Sequence, residues 1–186
     1  MRVISGKAKG TKLYSIESNA TRPTLDRVKE SLFNIIQDEI QDANILDLFS
    51  GSGAIGIEFL SRGASKAYLC DKSPEAIKMI RKNLEKTKLL EDAKLINKDY
   101  KKCLEDLKKE NIEFDIVFID PPYEADLAID ASKRILKLGL LKKQGIIIIE
   151  TDQESREKSE MQNLGIDIYD CRKYGRVSLI FLSERS

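Results

Sequence analysis

Residues 120–123, Asp120-Pro121-Pro122-Tyr123, place a carboxylate, two rings of fixed φ and an aromatic side chain directly after an apolar run, Asp115-Ile-Val-Phe-Ile119. The run reads as a buried strand, rich in Ile, Val and Phe. Proline lacks the N–H that a central ladder needs, so the strand must stop at residue 120. Proline also restricts the residue before it, which makes the loop stiff. Such a loop suits a planar heterocycle carrying an exocyclic amine. Tyr123 can stack on the ring, while the Asp120 carboxylate and the Pro121 carbonyl accept the two amine hydrogens. Alone, the tetrapeptide reads more simply as a rigid turn after a strand, so the remaining motifs must decide.

Three further motifs sit where strands should end. Asp47-Leu-Phe-Ser-Gly51-Ser-Gly53-Ala-Ile-Gly56 follows an apolar strand. Gly51 and Gly53 let the backbone approach a ligand, and Gly56 permits tight helix–strand packing. A dinucleotide site needs the same glycines. Asp47, inside the strand, suits a cationic amino-acid moiety better than a pyrophosphate. Asp71 lies twenty residues past Gly51, a distance at which a carboxylate can hold both ribose hydroxyls. Its structural alternative, capping the next helix, is a role Ser73 can already fill. Asp99-Tyr100 follows Leu95-Ile-Asn97, and Asp99 there can accept from an adenine amino group.

The elements that would carry these motifs alternate. The spacing of Leu25, Val28, Leu32, Ile35, Ile36 and Ile40 predicts a helix after Thr21-Arg-Pro-Thr24, with Thr24 as its N-cap. Strands are expected over 45–49, 66–70, 94–97, 115–119 and 145–150, with helices over 54–62, from Ser73-Pro74 onward, 101–109, 126–138 and 154–164. Two closing strands, 166–171 and 177–182, joined by Lys173-Tyr-Gly-Arg176, read as an antiparallel hairpin. Near-continuous apolar strands separated by helices argue for an α/β fold with a parallel sheet covered on both faces. Ligands of such sheets bind at the carboxyl ends of the strands. Residues 1–20 hold short extended pieces punctuated by Gly6 and Gly10, and form an N-terminal β arm ahead of a single domain over 21–186. With few large apolar residues, the arm is expected to add little to the core.

Composition bounds the chemistry. At 186 residues, 41% hydrophobic and 34% charged, the chain is one globular domain with a substantial core. It holds no histidine, which excludes a Ser-His-Asp or Cys-His unit built from its own residues. Cys70, Cys103 and Cys171 are odd in number and far apart, so a reduced compartment and no metal are expected. No apolar run approaches the length of a membrane helix, and the N-terminus has no signal-peptide pattern, so a cytoplasmic location is expected. Net charge is +1, but residues 1–29 carry seven basic side chains against two acidic, a net +5 that leaves −4 for the remainder. Such asymmetry points to a polyanion-facing patch at Arg2, Lys7, Lys9, Lys12, Arg22 and Arg27.

In this order, glycine turn, ribose acid, adenine acid and Asp-Pro-Pro-Tyr resemble S-adenosylmethionine-dependent methyltransferases that modify exocyclic amines of nucleobases. Arg2-Val-Ile-Ser-Gly-Lys-Ala-Lys-Gly10, Thr21-Arg-Pro-Thr-Leu-Asp-Arg-Val-Lys-Glu-Ser-Leu-Phe-Asn34, Leu46-Asp-Leu-Phe-Ser-Gly-Ser-Gly53 and Phe118-Ile-Asp-Pro-Pro-Tyr123 are together similar to the RsmD family, bacterial small-subunit rRNA (guanine-N2)-methyltransferases. The resemblance spans essentially the whole chain, including Tyr174-Gly175-Arg176. It implies a Rossmann-like class I fold whose seven-stranded, mostly parallel sheet has its last strand inserted antiparallel. It implies S-adenosyl-L-methionine as cofactor, held by Asp47, Gly51, Gly53, Asp71, Asp99 and Tyr100, with Arg22 and Thr24 over the cofactor carboxylate or a target phosphate. Asp120, Pro121 and Tyr123 would act on N2 of a guanine in 16S rRNA, free or in an assembling 30S subunit, with the protein a monomer. The rival readings are a DNA adenine-N6 or cytosine-N4 methyltransferase and a non-catalytic RNA-binding module.

Overall fold

The computed structural model describes residues 1–15, 22–122, 126–163 and 166–183, with backbone only for 22–25. The described strands form one seven-stranded, mostly parallel sheet in the order β3-β2-β1-β4-β5-β7-β6. The chain divides into two compact units, Met1–Asp99 and Tyr100–Ser186.

The first unit contains α1 (Arg22–Ile35), β1 (Asn44–Asp47), α2 (Ala54–Ser61), β2 (Lys66–Asp71), α3 (Pro74–Thr87) and β3 (Ala93–Asn97). Its three strands pair in parallel, with Asp47 opposite Leu69 and Asp71 opposite Asn97. Their side chains are apolar where the strands are covered: Ile45, Leu46, Ala67, Leu69 and Cys70 are fully buried. Phe33 of α1 meets Phe59 of α2 edge-on, with centroids 4.7 Å apart. Ser73 caps α3 by accepting from the Ala76 N–H (3.2 Å), and Pro74 occupies the first turn, where its missing N–H costs nothing.

The arm packs more closely than its composition suggested. Arg2 and Lys12 form an antiparallel bridge. Val3, Ala8 and Leu13 are buried, which corrects the expectation that the arm adds little to the core. Its anchor is Glu58 on α2, which is fully buried. Glu58 accepts from the N–H groups of Ile4 and Ser5 (both 2.9 Å) and from Arg62 Nε (2.8 Å), with Lys29 Nζ at 3.3 Å. Lys29 also donates to the Arg2 carbonyl (2.7 Å). A buried carboxylate with this many donors is fully compensated, whereas loss of its charge would strand the cations. Ser61 adds bonds to both Ala8 and Ser5.

The second unit contains α4 (Tyr100–Lys109), β4 (Phe114–Ile119), α5 (Leu127–Leu138), β5 (Leu141–Thr151), α6 (Glu154–Asn163), β6 (Ile168–Tyr174) and β7 (Val177–Ser183). β4 and β5 run parallel, with Ile119 opposite Ile149. β7 pairs antiparallel with both β5 and β6, as the resemblance implied. Gly175, at φ +66°, makes the tight turn between Tyr174 and Val177. Strand β5 begins at Leu141, earlier than the apolar run alone indicates, because Leu141 pairs with Phe114 across a register shift.

Candidate active site

The carboxyl ends of β1 and β2 build a small polar cradle in the first unit. After Asp47 the chain turns through Ser50-Gly51-Ser52-Gly53 into α2. Ser50 donates its hydroxyl to the Asp47 carbonyl (2.7 Å) and its N–H to the Cys70 carbonyl (3.0 Å), which fixes the turn against β2. Gly53 precedes α2 at φ +78°, where a Cβ would also lie 3.0 Å from Ile80. At Gly56 a Cβ would meet Leu69 at 2.6 Å, so helix α2 sits on β2 only because that residue is glycine.

Asp47 and Asp71 face this turn differently. Asp71 is half-buried. Its two carboxylate oxygens accept from the N–H groups of Gly51 and Ser73 (both 2.9 Å). Each oxygen keeps a further lone pair, as a carboxylate gripping two hydroxyls requires. Asp47 is 1% exposed and accepts from the Gly56 N–H (3.1 Å) at the start of α2. Burial pushes its pKa up to about 7; Gly56 and Ser50 oppose that shift, and the charge of Asp71 reinforces it. No Cβ neighbour lies within 4 Å of Gly51, so the turn is open above that residue. Asp71, half-buried beside an open glycine turn, is placed to grip a diol, while Asp47 is a buried carboxylate beneath the same turn.

Asp99 is exposed and immediately precedes α4. Tyr100, expected beside the cofactor, is buried, and its hydroxyl donates to Asp130 on α5 (2.6 Å). That bond makes it a packing anchor between α4 and α5. The side chains of Arg22 and Thr24 and the whole of Tyr123 lie outside the described residues. Of the expected polyanion-facing cations, Arg2, Lys7, Lys9, Lys12 and Arg27 are exposed. Lys7 is in an ion pair with Asp92 (3.2 Å).

In the second unit, Asp120 leaves β4 exposed, and Pro121 and Pro122 continue the loop. The parallel register makes Asp120 and Glu150 the next residues on neighbouring strands. A small cleft of about 30 Å³ is lined by Pro121, Pro122, Glu150, Thr151, Arg156 and Glu157 among others. Burial pushes the Glu150 carboxyl up to about 7. The Glu157 pKa is also raised, chiefly by burial. Its Oε2 is buried with no hydrogen-bond partner among the described residues. Arg156 pairs with Asp126 at the rim. Sequence reasoning did not single out Glu150 or Glu157. The available signal was an acid ending the apolar run Ile146–Ile149, the same pattern that drew attention to Asp120. Asn83 was missed too. It is fully buried on α3, donates to the carbonyls of Ser52 and Tyr14 (both 2.9 Å) and accepts from the Tyr14 N–H (2.8 Å). It therefore ties the glycine turn to the arm. Nothing in its helical spacing announces that role.

Comparison with known proteins agrees with this architecture. The chain is 37% identical, over 83% of its length and 80% of the relative's, to the "Ribosomal RNA small subunit methyltransferase D" of Haemophilus influenzae. It superposes on the structure of a hypothetical protein of Thermus thermophilus, TTHA0928, with a TM-score of 0.80 and 28% identity, covering 98% of this chain and 99% of that one. SMU.776, complexed with SAH, shares the fold at 16% identity and a TM-score of 0.65, over 80% of this chain and 48% of that one. The sheet order is thus that of S-adenosylmethionine-dependent methyltransferases. The family model described as conserved hypothetical protein 95 matches residues 1–183, and the chain belongs to that family, the RsmD-like methyltransferases.

Proposed function

We propose that this protein transfers a methyl group from S-adenosylmethionine to the exocyclic N2 of a guanine in small-subunit rRNA, acting as a monomer on free 16S rRNA or an assembling subunit. The observation that carries the reading is Asp120 directly after the buried run Ile116–Ile119 at the carboxyl end of β4, followed by a Pro121-Pro122 loop beside a cleft. The name carried by the Haemophilus influenzae relative supports rRNA as the substrate.

The cofactor supplies a methyl group already on a good leaving group, so the residues need mainly to bind and orient. Asp71 takes the ribose diol through lone pairs left free by the Gly51 and Ser73 N–H groups. Asp47 faces the ammonium, and Asp99 takes the adenine amine. The target base must leave its stack to reach such a site. Tyr123 stacks on it. Asp120 and the Pro121 carbonyl accept the amine hydrogens and stabilise the positive charge that grows on nitrogen as it attacks. Arg22 and Thr24 close over the cofactor carboxylate or a target phosphate.

The test is transfer of label from S-adenosylmethionine to 16S rRNA, 30S subunits from a methylation-deficient strain, and DNA. Label on N2 of guanine in rRNA or subunits is the expected result. Label on DNA adenine-N6 or cytosine-N4 moves the assignment to DNA. Label on none of the three substrates overturns it in favour of a binding module.

A further inference from the structure

Away from the strand ends, the first unit presents a second surface that the proposed chemistry does not use. Lys78, Lys82 and Lys86 are all exposed and stand at four-residue steps along α3. Their Cα atoms therefore rise by about 6 Å each along one stripe. They line an open groove of about 710 Å³, and Tyr14 of the arm lines it as well. Tyr14 is 53% exposed, the most exposed large apolar side chain among the described residues. Lys86 Nζ lies 4.6 Å from its ring centroid.

That exposed ring is held firmly. Asn83, fully buried, satisfies both the N–H and the carbonyl of Tyr14. Burying a primary amide is costly unless its bonds are made. Here two of those bonds fix the backbone beneath an aromatic ring that itself contributes little to the core. The acids of the groove are Glu75 and Glu85. Glu75 accepts the Ser73 hydroxyl (3.0 Å) at the start of α3 and feels the charge of Lys78, so both acids offset part of the positive charge and the three lysines keep the groove net positive. A pre-positioned aromatic ring beside a row of cations matches the way single strands are gripped, with bases stacked on rings and phosphates on cations.

We propose that this groove seats a single-stranded segment of the RNA substrate, with phosphates on Lys78, Lys82 and Lys86 and one base on Tyr14. The proposal rests on the RNA reading of the function and moves the main RNA contact from the arm lysines, where Lys7 is already paired with Asp92, to α3.

The experiment is fluorescence anisotropy of a labelled single-stranded rRNA oligonucleotide across a salt series, using the full chain, the triple variant K78A/K82A/K86A, Tyr14→Ala, Tyr14→Phe and Lys7→Ala. The triple variant should flatten the log–log salt slope by about 2, at roughly 0.7 per lost phosphate contact. Tyr14→Ala should weaken binding roughly tenfold without changing the slope, Tyr14→Phe should retain binding, and Lys7→Ala should leave both nearly unchanged. Cofactor affinity measured on the same preparations should stay within a few fold, which shows that the variants are folded. An unaltered chain that binds RNA together with a triple variant of unchanged slope overturns the groove and leaves the function standing. Equal binding of a duplex with no dependence on Tyr14 overturns the single-strand assignment. An unaltered chain that binds no RNA overturns the groove and the RNA reading together.

Discussion

If Asp47 faces the cofactor ammonium as proposed, its burial gives cofactor binding a pH dependence of predictable sign. The carboxyl is 1% exposed and its pKa is pushed to about 7, mainly by burial. At pH 6 the free protein therefore carries a proton there in roughly nine molecules of ten. A ligand ammonium facing Asp47 favours the ionised form, so binding must expel that proton. Affinity then rises with pH, by up to tenfold per unit below 7, and levels off above it. From pH 5.5 to 7.5 the gain from Asp47 alone is roughly 25-fold, and an α-amino group of pKa ~7.7, which has lost about two-fifths of its protons by pH 7.5, trims it to roughly 15-fold. Isothermal calorimetry with S-adenosylhomocysteine, which keeps the ammonium, in two buffers of different ionisation enthalpy reads affinity and proton release together. Release should approach one proton at pH 6 and fall steeply by pH 7.5. Asp47→Asn should remove both the release and the slope. The same shift acts on stability. Folding raises this carboxyl above its ordinary value of 3.8, so the protonated form is favoured in the native state. The contribution is fully present below about pH 4 and is lost as pH rises through about 7, on the order of 4 kcal/mol in all. Asp47→Asn should therefore raise the melting temperature more at pH 8 than at pH 5. A wild-type affinity that is flat from pH 5.5 to 7.5, with no proton release, refutes the ammonium assignment.

Three further outcomes are expected. Asp71→Ala should raise the cofactor dissociation constant at least tenfold, since each charge-assisted bond is worth roughly 1.5–3 kcal/mol; it should also lower the melting temperature, because the N–H groups of Gly51 and Ser73 lose their acceptor. Unchanged calorimetric affinity rejects the ribose role. Asp120→Ala should reduce the methylation rate about 10²-fold or more, roughly 3 kcal/mol, while cofactor affinity stays within a few fold. Substantial retained activity in a single-turnover assay removes Asp120 from the acceptor site. Glu58→Gln should destabilise the protein by roughly 3–5 kcal/mol, because Lys29, 5% exposed, is left without its counter-charge. Thermal melting and limited proteolysis of the arm report it, and an unchanged melting temperature contradicts the anchor described for Glu58.

Local rules made much of this molecule legible from its sequence. Ser73-Pro74 starts α3 because a hydroxyl cap and a proline without N–H both suit a helix's first turn. The largely apolar runs at 45–49 and 115–119 contain β1 (Asn44–Asp47) and β4 (Phe114–Ile119) almost as expected, because each is too short for a buried helix and is cut off by glycine or proline. The positions of Asp71 and Asp120 followed from those stops, since a residue just after a buried strand must emerge at its carboxyl end. Long-range contacts decided the rest. That β7 lies between β5 and β6 depends on pairings between distant segments, which periodicity does not encode; the expectation came from the family resemblance. Glu58 reads in sequence as an ordinary helix acid. It is buried because the arm's N–H groups, more than fifty residues away, converge on it. Asn83 and Lys82 are consecutive polar residues of one helix. One is sealed beneath the arm and the other faces solvent. The 3.6-residue turn sets their directions apart, but only the tertiary structure determines which direction is covered, because covering requires the arm to fold back onto α3.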